Sequence, residues 1–400
     1  MFTSEPSLAW RFGRMIAESP VVDPLSRIRP DRPGVASLAE LLDDHRLKAE
    51  LHSVGMVPGD MDPDLDADER VRRAIPHLRR IRNTASAWCF DRILRDLYDF
   101  ADPHLDRSNV DALAGRVAAQ AADPGWAESL LRDRLNIRAI AGIAPEGVAS
   151  TSIGTIPFVR RVALDFRPDE RPATAARLAR AVHVRLETTP RDESDRFVAV
   201  ASASALGRVD RGEVDRVLSG ASHGRKSGDA TISRFILKVA AAWHHEQGRT
   251  IQLAVGLGWK GSPERWAARL ARLAIHYEDA GFDLVGGPEG LAPKAARLAG
   301  RLPNVFATGC AWPDFAPSAI ERTVGHALQV APMTKLCAFG SDAATAEWTY
   351  GRFQLAKKAI ASALAGWVEA GFAEEAEVPP LLRQVLHDTP RDLLALPIVG

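Results

Sequence analysis

From residue 137 onward, short apolar segments alternate with amphipathic segments of helical periodicity, and this alternation restricts the possible folds more than any other feature. The predicted strands are IRAIAGI (137–143), VRRVALDF (159–166), AVHVRL (181–186), TIQLAVGLG (250–258), FDLVGG (282–287), NVFATG (304–309) and LCAFGSD (336–342). Apolar strands that alternate with amphipathic helices are typical of a parallel sheet covered by helices. With VVDPLSRI near the N-terminus the count reaches eight, which predicts an α/β fold, a closed (β/α)8 TIM barrel, rather than an open sheet.

Almost the whole stretch between the first and second predicted strands is helical in character. Apolar residues recur at three- and four-residue spacing from residue 34 to residue 135. Ser37 followed by Glu40 is a capping-box start for the first of these helices. We therefore expect one barrel domain over residues 1–400, with a helical insertion or cap at residues 34–135.

The overall charge argues against two classes of partner. Lys+Arg and Asp+Glu are both 51, so the net charge is zero, whereas nucleic-acid and membrane-surface binding usually needs a basic excess. The first 15 residues lack the apolar core of a signal peptide, and no apolar run approaches the length of a membrane span. We expect a cytoplasmic protein that binds neither nucleic acid nor membranes.

Asp342 is the first candidate for a functional residue. It follows the last predicted strand, at the point where that strand turns into a long helix. In α/β barrels the chemistry lies at the carboxyl ends of the strands. An acid in this position is therefore well placed to act on a substrate.

The C-terminal third of the chain carries a more specific pattern. NVFATGCAWPDF and KLCAFGSDAATAEW, with the later motif Gly366–Gly371 (GWVEAG), resemble the uronate isomerase branch of the amidohydrolase superfamily. VVDPLSRIRP lines up with the first strand of that family without gaps. The resemblance implies a distorted barrel of the amidohydrolase type, isomerase or hydrolase chemistry on a sugar acid, and an essential role for Asp342.

The same alignment removes the usual metal ligands. The two metal-binding histidines of the family fall on Leu25 and Arg27, and a further histidine falls on Ala254. A catalytic zinc needs about three protein ligands plus water, and only Asp342 remains. We therefore expect no cofactor, with a divalent metal such as zinc disfavoured. Arg27 then lies near Asp342 in place of the metal, either binding a substrate carboxylate or forming a structural ion pair.

Other candidates come from the predicted strands and loops. On the predicted strand AVHVRL, His183 and Arg185 share one face and supply a base and a carboxylate contact, or else form a surface row. After the strand 250–258, Trp259 and Lys260 lie in a loop that could contact an anionic substrate. That loop matches a dinucleotide-binding glycine pattern, but its helix is predicted to begin only at Ser262 and Pro263, too late to hold phosphates. Further pocket candidates are His45, Arg82 and Trp312.

These observations predict a small-molecule enzyme that acts on a sugar acid or related carboxylate at the mouth of the barrel. Asp342, Arg27 and His183 are the predicted catalytic residues. Two alternatives stay open: a non-catalytic barrel for ligand binding or assembly, and a metal-dependent hydrolase with relocated ligands such as His183 and Asp342. The identity of the substrate and the formation of homo-oligomers also stay open.

Overall fold

The structure is a computed structural model that describes residues 6–144, 152–187, 196–204, 206–220, 225–255, 259, 261–286, 289–309 and 316–397. Its strands are β1 (Val21–Asp23), β2 (Ile137–Gly142), β3 (Ser152–Ile153), β4 (Ile156–Ala163), β5 (Phe197–Ser202), β6 (Thr250–Ala254), β7 (Gly281–Val285), β8 (Val305–Thr308) and β9 (Leu336–Cys337). Its α-helices are α1 (Leu8–Glu18), α2 (Leu38–Leu42), α3 (His45–Ser53), α4 (Ala67–Leu78), α5 (Ala85–Tyr98), α6 (Val110–Ala121), α7 (Trp126–Ser129), α8 (Ala175–Glu187), α9 (Arg211–Leu218), α10 (Arg225–Gln247), α11 (Pro263–His276), α12 (Ala292–Ala299), α13 (Pro317–Val330), α14 (Ala346–Glu369), α15 (Val378–Arg383) and α16 (Thr389–Leu393). Two π-helical turns, Leu130–Arg134 and Gln384–Asp388, complete the regular elements that are used below.

One curled sheet organises the chain. The strand order is β1-β2-β4-β5-β6-β7-β8-β9, and every neighbouring pair on this path is parallel. The short β3 pairs antiparallel with β4 outside this path. Eight parallel strands, with helices described between all successive pairs except β2 and β4, confirm the predicted distorted (β/α)8 barrel.

The barrel closes at its mouth through hydrogen bonds between two loops. In the described residues, β1 and β9 form no ladder, but the segments that follow them are joined. The amide of Asp342 donates to Leu25 O at 2.6 Å, and the amide of Arg27 donates to Ala343 O at 2.9 Å. Ser26 Oγ also donates to Ala343 O, at 3.2 Å. The carboxyl end of the last strand is therefore held directly against that of the first.

Further down the same seam, the C-terminal segment fills the gap. The amide of Ala338 donates to Val385 O in the second π-helical turn. Leu394 packs against a small cluster on the inner face of the sheet, formed by Val22, Ala139, Ala141, Val159 and Val198. Their sequence neighbours, such as Val21 and Ile140, belong to the larger core. The lower interior of the barrel is thus closed by the C-terminal segment.

The prediction of a strand at residues 181–186 was wrong, since this segment belongs to α8. The buried residues Leu178, Val182 and Leu186 repeat at every fourth position, which is the period of a helix. The apparent alternation in AVHVRL covered only six residues, too few to separate the two periods. The strand that was missed is β5, FVAVAS, which restores the count of eight.

Helices α2–α7 lie between β1 and β2 and are fastened to α14 by a buried acid. Glu347 is fully buried and accepts hydrogen bonds from Trp126 Nε1 at 3.0 Å and from the amide of Val35 at 3.2 Å. Among the described residues, no helix combines the length and the apolar character that crossing a membrane requires.

Candidate functional site

Asp342 lies at the mouth of the barrel in an unusual backbone conformation. It follows β9, and its φ of 49° places it in the left-handed region. Aspartate and asparagine tolerate this region better than most other residues. Two positions earlier, a Cβ on Gly340 would meet Leu25 Cβ at 2.9 Å, so the close approach of the two loops favours glycine there. The tight junction of the barrel thereby fixes the position of the Asp342 carboxylate.

Three side chains that can carry positive charge surround this carboxylate. From Asp342 Oδ2 the distances are 3.4 Å to His45 Nε2, 3.9 Å to Arg46 Nη2 and 3.9 Å to Arg352 Nη1. The Asp342 side chain keeps 25% of its exposure and that of His45 keeps 40%, so the cluster is accessible from solvent. His45 was predicted as a pocket residue, and the structure brings it into contact with Asp342.

The electrostatics of the cluster keep Asp342 ionised. Burial by itself would raise the pKa of Asp342, but the hydrogen bond from His45 and the charges of Arg352, His45 and Arg27 outweigh it. The pKa of Asp342 falls from its ordinary 3.8 to about 2. This carboxyl group is therefore an anion throughout the neutral range and holds no proton to donate there.

A buried ion pair anchors the cluster to two helices. Asp44 caps α3 by accepting from the amides of Arg46 and Leu47, and it also pairs with the buried Arg352 of α14. Arg352 Nη1 donates to Ser341 O at 2.8 Å, next to Asp342. His45 Nδ1 lies 3.8 Å from Asp44 Oδ2, so its imidazole stands between two carboxylates. The first turn of α3 and the middle of α14 together position the site.

A second polar group lines the barrel interior below the mouth. Arg161 Nε donates to Gln252 Oε1 at 3.0 Å, and its Nη1 donates to Ser26 O at 3.1 Å. Gln252 Nε2 in turn donates to Pro24 O and to Asp283 Oδ2. Burial lowers the pKa of Arg161, against the opposing effect of Asp342, Asp23 and Asp283. Arginine stays protonated despite such a shift, so Arg161 places a permanent charge inside the barrel.

Two fully buried acids flank this arginine. Burial raises the pKa of Asp23 and that of Asp283 to about 6, although hydrogen bonds and Arg161 oppose the change. Asp23 Oδ1 accepts from the amides of Ser341 and Leu25. In the described part of the chain, Asp23 Oδ2 and Asp283 Oδ1 have no hydrogen-bond partner. Both acids therefore titrate close to neutral pH.

Arg27 contributes charge to the site but is not the closest partner of Asp342. Its side chain is exposed, and its charge helps to lower the pKa of Asp342. Among the described residues, the cationic groups within 4 Å of Asp342 belong to His45, Arg46 and Arg352 instead. The predicted direct pairing with Arg27 is thus replaced by a cluster that α3 and α14 supply.

His183 and Arg185 do not share a face in the structure, because α8 replaces the predicted strand. His183 is exposed on the outside of this helix. Arg185 donates to Ala163 O and Asp165 O and stacks over Phe166 at 4.1 Å, so it supports the segment after β4. The predicted arrangement of a base beside a carboxylate contact was therefore wrong.

The other predicted pocket residues have different positions. Trp259 is half-buried, and its Nε1 donates to Ser204 O at 3.0 Å, which ties the loop after β6 to the loop after β5. Arg82 is exposed beside a cleft between α4 and α5 that shares no lining residue with the Asp342 cluster. Lys260 and Trp312 lie outside the described residues.

Three arginines of the site were missed by the sequence prediction: Arg46, Arg161 and Arg352. One signal was present for Arg161, because a charged residue interrupts the apolar strand VRRVALDF. Arg352 stands ten residues after Asp342, in an apolar helix where burial of an arginine requires a partner acid. Arg46 carries no signal of its own beyond its place next to His45.

The donor set does not fit the divalent metal that the resemblance implies. In the described part of the chain, no group of three or more histidine, cysteine or acidic side chains is arranged to hold a metal ion. Around Asp342 the neighbours are one imidazole and two guanidinium groups. A guanidinium has no acceptor to offer a metal. The positive charge around the carboxylate also opposes the binding of a cation.

Comparisons of sequence find no match for the chain, whereas comparisons of structure find several. No family model matches, and neither does any curated protein. The uronate isomerase of Thermotoga maritima superposes with a TM-score of 0.77 at 14% identity, covering 98% of this chain and 100% of that one. The glucuronate isomerase of Caulobacter crescentus gives 0.77 at 17% identity, with 100% and 96% covered. A uronate isomerase of Bacillus halodurans C-125 gives 0.69 at 15% identity, with 98% of both chains covered. Over essentially its whole length, the chain has the fold of these uronate isomerases.

Proposed function

We propose that this protein binds a small sugar acid at the mouth of the barrel and acts on it by proton transfer without a divalent metal. The observation that carries the proposal is the contact between His45 Nε2 and Asp342 Oδ2, set among arginines at the carboxyl edge of the sheet. Solved structures with this fold include enzymes named for uronates, which suggests the same class of substrate.

His45 is the group that we assign to acid–base chemistry. Histidine is the side chain that serves most often as a general acid or base, because its imidazole can both accept and donate a proton. Asp342, with its pKa lowered to about 2, stays ionised and stabilises the imidazolium form of His45. The acid–base role predicted for Asp342 therefore passes to His45, and Asp342 becomes its electrostatic partner.

The arginines of the site account for binding of a carboxylate. Arg27 is exposed at the mouth, and the Arg46 side chain lies beside Asp342 with 15% of its surface exposed. A guanidinium presents two parallel donors that match the geometry of a carboxylate. Arg352 is committed to Asp44 and to Ser341 O, so its role is to hold the cluster.

Interconversion of an aldose and a ketose fits these residues. The reaction moves a hydrogen from C2 to C1 of the sugar and a proton from O2 to O1, so it consumes no oxidant or reductant. An acid–base group beside the sugar can shuttle the protons. Fixed positive charges nearby stabilise the negative charge that develops on the oxygens during transfer.

Hydrogen exchange in deuterated water tests this function. The purified protein is incubated with D-glucuronate or D-galacturonate, and NMR follows ketose formation and deuterium incorporation at C1 and C2. We expect turnover that a chelator leaves unchanged and that His45→Gln reduces by about 100-fold or more. The matched control is His52→Gln, further along the same helix, where Nδ1 of the histidine lies 2.8 Å from the carbonyl oxygen of Met56. Absence of both binding and exchange for all sugar acids tried would refute the proposal.

Binding without turnover is the second candidate, and one observation favours it. The two acids that lie within 4 Å of His45 already have cationic partners, since Asp44 pairs with Arg352 and Asp342 contacts three such groups. A site whose acids are already paired with cations can bind an anionic ligand without catalysing a reaction of that ligand. Saturable binding of a sugar acid with no deuterium incorporation over days would select this candidate.

A further inference from the structure

A cleft on the flank of the barrel is separate from the Asp342 cluster. It opens between α10 and α11, beside the loop 206–210 that follows β5, and has a volume of about 980 Å³. This lies at the upper end of the range of small-molecule sites, roughly 300–1,000 Å³. None of its lining residues belongs to the cluster at the mouth.

Positive charge dominates the lining of this flank cleft. Five cationic side chains face two acidic ones, Asp210 and Glu213. The cations are Arg208, Arg234, Lys238, Arg269 and Arg272. A cleft with such an excess attracts anions, and its walls concentrate the field.

The two acids of the cleft accept hydrogen bonds from a backbone amide and a threonine hydroxyl rather than from the cations. Asp210 Oδ1 caps α9 by accepting from the amide of Glu213 at 2.8 Å. Glu213 Oε1 accepts from Thr231 Oγ1 at 2.9 Å. Within the described ranges, the hydrogen bonds of the cleft arginines run to carbonyl oxygens and to one threonine hydroxyl, and no carboxylate pairs with any of the five cations. The described lining therefore carries a formal excess of three positive charges, five cations against two acids, with no ion pair between them.

Two of the arginines brace the rim of the cleft. Arg234 Nη1 donates to Arg208 O at 3.2 Å, and Arg269 Nη1 donates to Leu206 O at 2.7 Å. Gly207 stands between these carbonyls with a φ of 150°, a backbone conformation that other residues adopt with strain. The rim is thus held in place before any ligand arrives, while Lys238 and Arg272 stay exposed.

The base of the cleft is apolar. Leu206, Leu237 and Tyr277 line it and are each at least nine-tenths buried. An aromatic and aliphatic surface next to clustered cations suits a ligand with an apolar or planar body and a multiply charged end. A sugar acid has a single carboxylate and no apolar body, so it matches this cleft poorly.

We propose that the flank cleft binds a small organic phosphate, of the size and charge of a nucleoside diphosphate. Guanidinium and ammonium groups are the usual protein donors to phosphate oxygens. In this arrangement Lys238, Arg272 and Arg208 contact the phosphates, and Tyr277 with the leucines contacts the base. The site is independent of the function proposed for the mouth.

Titration calorimetry on the full chain tests the site with ADP, pyrophosphate and adenosine as probes. We expect ADP to bind, pyrophosphate to bind more weakly, and adenosine not to bind measurably. The double variant Lys238→Glu with Arg272→Glu should weaken ADP binding by about 100-fold, or about tenfold for each charge-assisted hydrogen bond that is removed. Both residues are exposed, so folding should persist, and Arg301→Glu on another exposed surface is the matched control.

Three results would overturn the assignment. The first is no binding of ADP or pyrophosphate at millimolar concentration, and the second is ADP affinity unchanged in the Lys238→Glu, Arg272→Glu variant. The third is loss of ADP binding in Asp342→Asn, which would place the anion at the mouth of the barrel. Retention of ADP binding in Asp342→Asn supports a separate site, whatever happens to sugar-acid binding.

Discussion

Neighbouring positive charges keep Asp342 ionised in the folded state. The contribution of Asp342 to the free energy of unfolding therefore depends on pH. The folded pKa, about 2, is below the ordinary value of 3.8, so the folded state favours the ionised form. The stabilisation is therefore present above about pH 4 and is lost as the pH falls through 2. The difference in pKa corresponds to about 2 kcal/mol at neutral pH.

Asp342→Asn should remove this contribution without straining the backbone, because asparagine also tolerates the left-handed conformation. We expect the free energy of unfolding to fall by about 2 kcal/mol at pH 7, with the gap from wild type closing as the pH drops below 4. Urea unfolding of both proteins from pH 2 to pH 7 measures the difference. A gap that is the same at pH 2.5 and at pH 7 would show that the carboxylate is not stabilised by its neighbours.

Ionisation of Asp283 should lower the stability of the fold, whereas ionisation of Asp342 raises it. The folded pKa of Asp283, about 6, lies above the ordinary 3.8, so the folded state favours the protonated form. The ionised acid destabilises the fold, and this cost is absent below about pH 4 and complete above about pH 6, where it reaches about 3 kcal/mol. Asp283→Asn keeps an acceptor for Gln252 and carries no charge.

We therefore expect Asp283→Asn to be more stable than wild type above pH 6, by up to about 3 kcal/mol, and equal to it below pH 4. The exposed Asp279→Asn serves as a control and should change stability by less than about 0.5 kcal/mol. Chemical unfolding at pH 4 and at pH 8 gives the comparison. A variant less stable than wild type at pH 8 would mean that the ionised Asp283 is favourably paired.

Among the elements, α14 connects the site to helices α2–α7. Its first turn carries Glu347, which holds Trp126 and Val35, and five residues later Arg352 holds Asp44 at the start of α3. Because His45 follows Asp44 directly, these contacts decide where the imidazole stands relative to Asp342. The helices between β1 and β2 are thus part of the site, not only a cover.

Glu347→Ala tests this connection. The substitution leaves the indole N–H of Trp126 and the amide of Val35 without their acceptor, and each such loss costs about 1–3 kcal/mol. We expect the free energy of unfolding to fall by about 2–4 kcal/mol and amide exchange near residues 34–36 to accelerate. Glu347→Gln keeps one acceptor oxygen and should lose less, while the exposed Glu369→Ala at the other end of α14 should change little. Equal effects of the alanine and glutamine variants would contradict this role.

For the molecule as a whole, the sequence predicted more of the fold than of the candidate site. The eight-stranded barrel was predicted from alternating strands and helices, and even the misassigned strand in α8 was offset by the missed β5. Asp342 was found because it stands at the end of a strand, and His45 because it matches a position that faces the barrel mouth in the family that the sequence resembles. The three arginines were not found from the sequence. Arg46, Arg161 and Arg352 come from three separate elements, and only tertiary packing brings their charges near one carboxylate.

Short sequence patterns and the missing tertiary contacts also explain the errors at two other predicted positions. His183 was assigned from a six-residue alternation, which the fourfold repeat of buried residues in α8 overrides. Arg27 was placed beside Asp342 because it aligns with a metal-binding histidine of the resembled family, and the backbones of the two segments do meet. Its side chain is nevertheless exposed, and α3 and α14 bring cations closer to Asp342.

A double-mutant cycle on sugar-acid binding tests the central claim, that His45 and Asp342 form one binding site, most directly. Calorimetry measures the affinity for the sugar acid that binds wild type best, in wild type, His45→Gln, Asp342→Asn and the double variant. Because the two side chains are in contact, we predict that each single variant weakens binding about tenfold or more, and that the double variant is weakened by clearly less than the product. Affinity that is unchanged in all three variants, or losses that simply multiply, would contradict the claim.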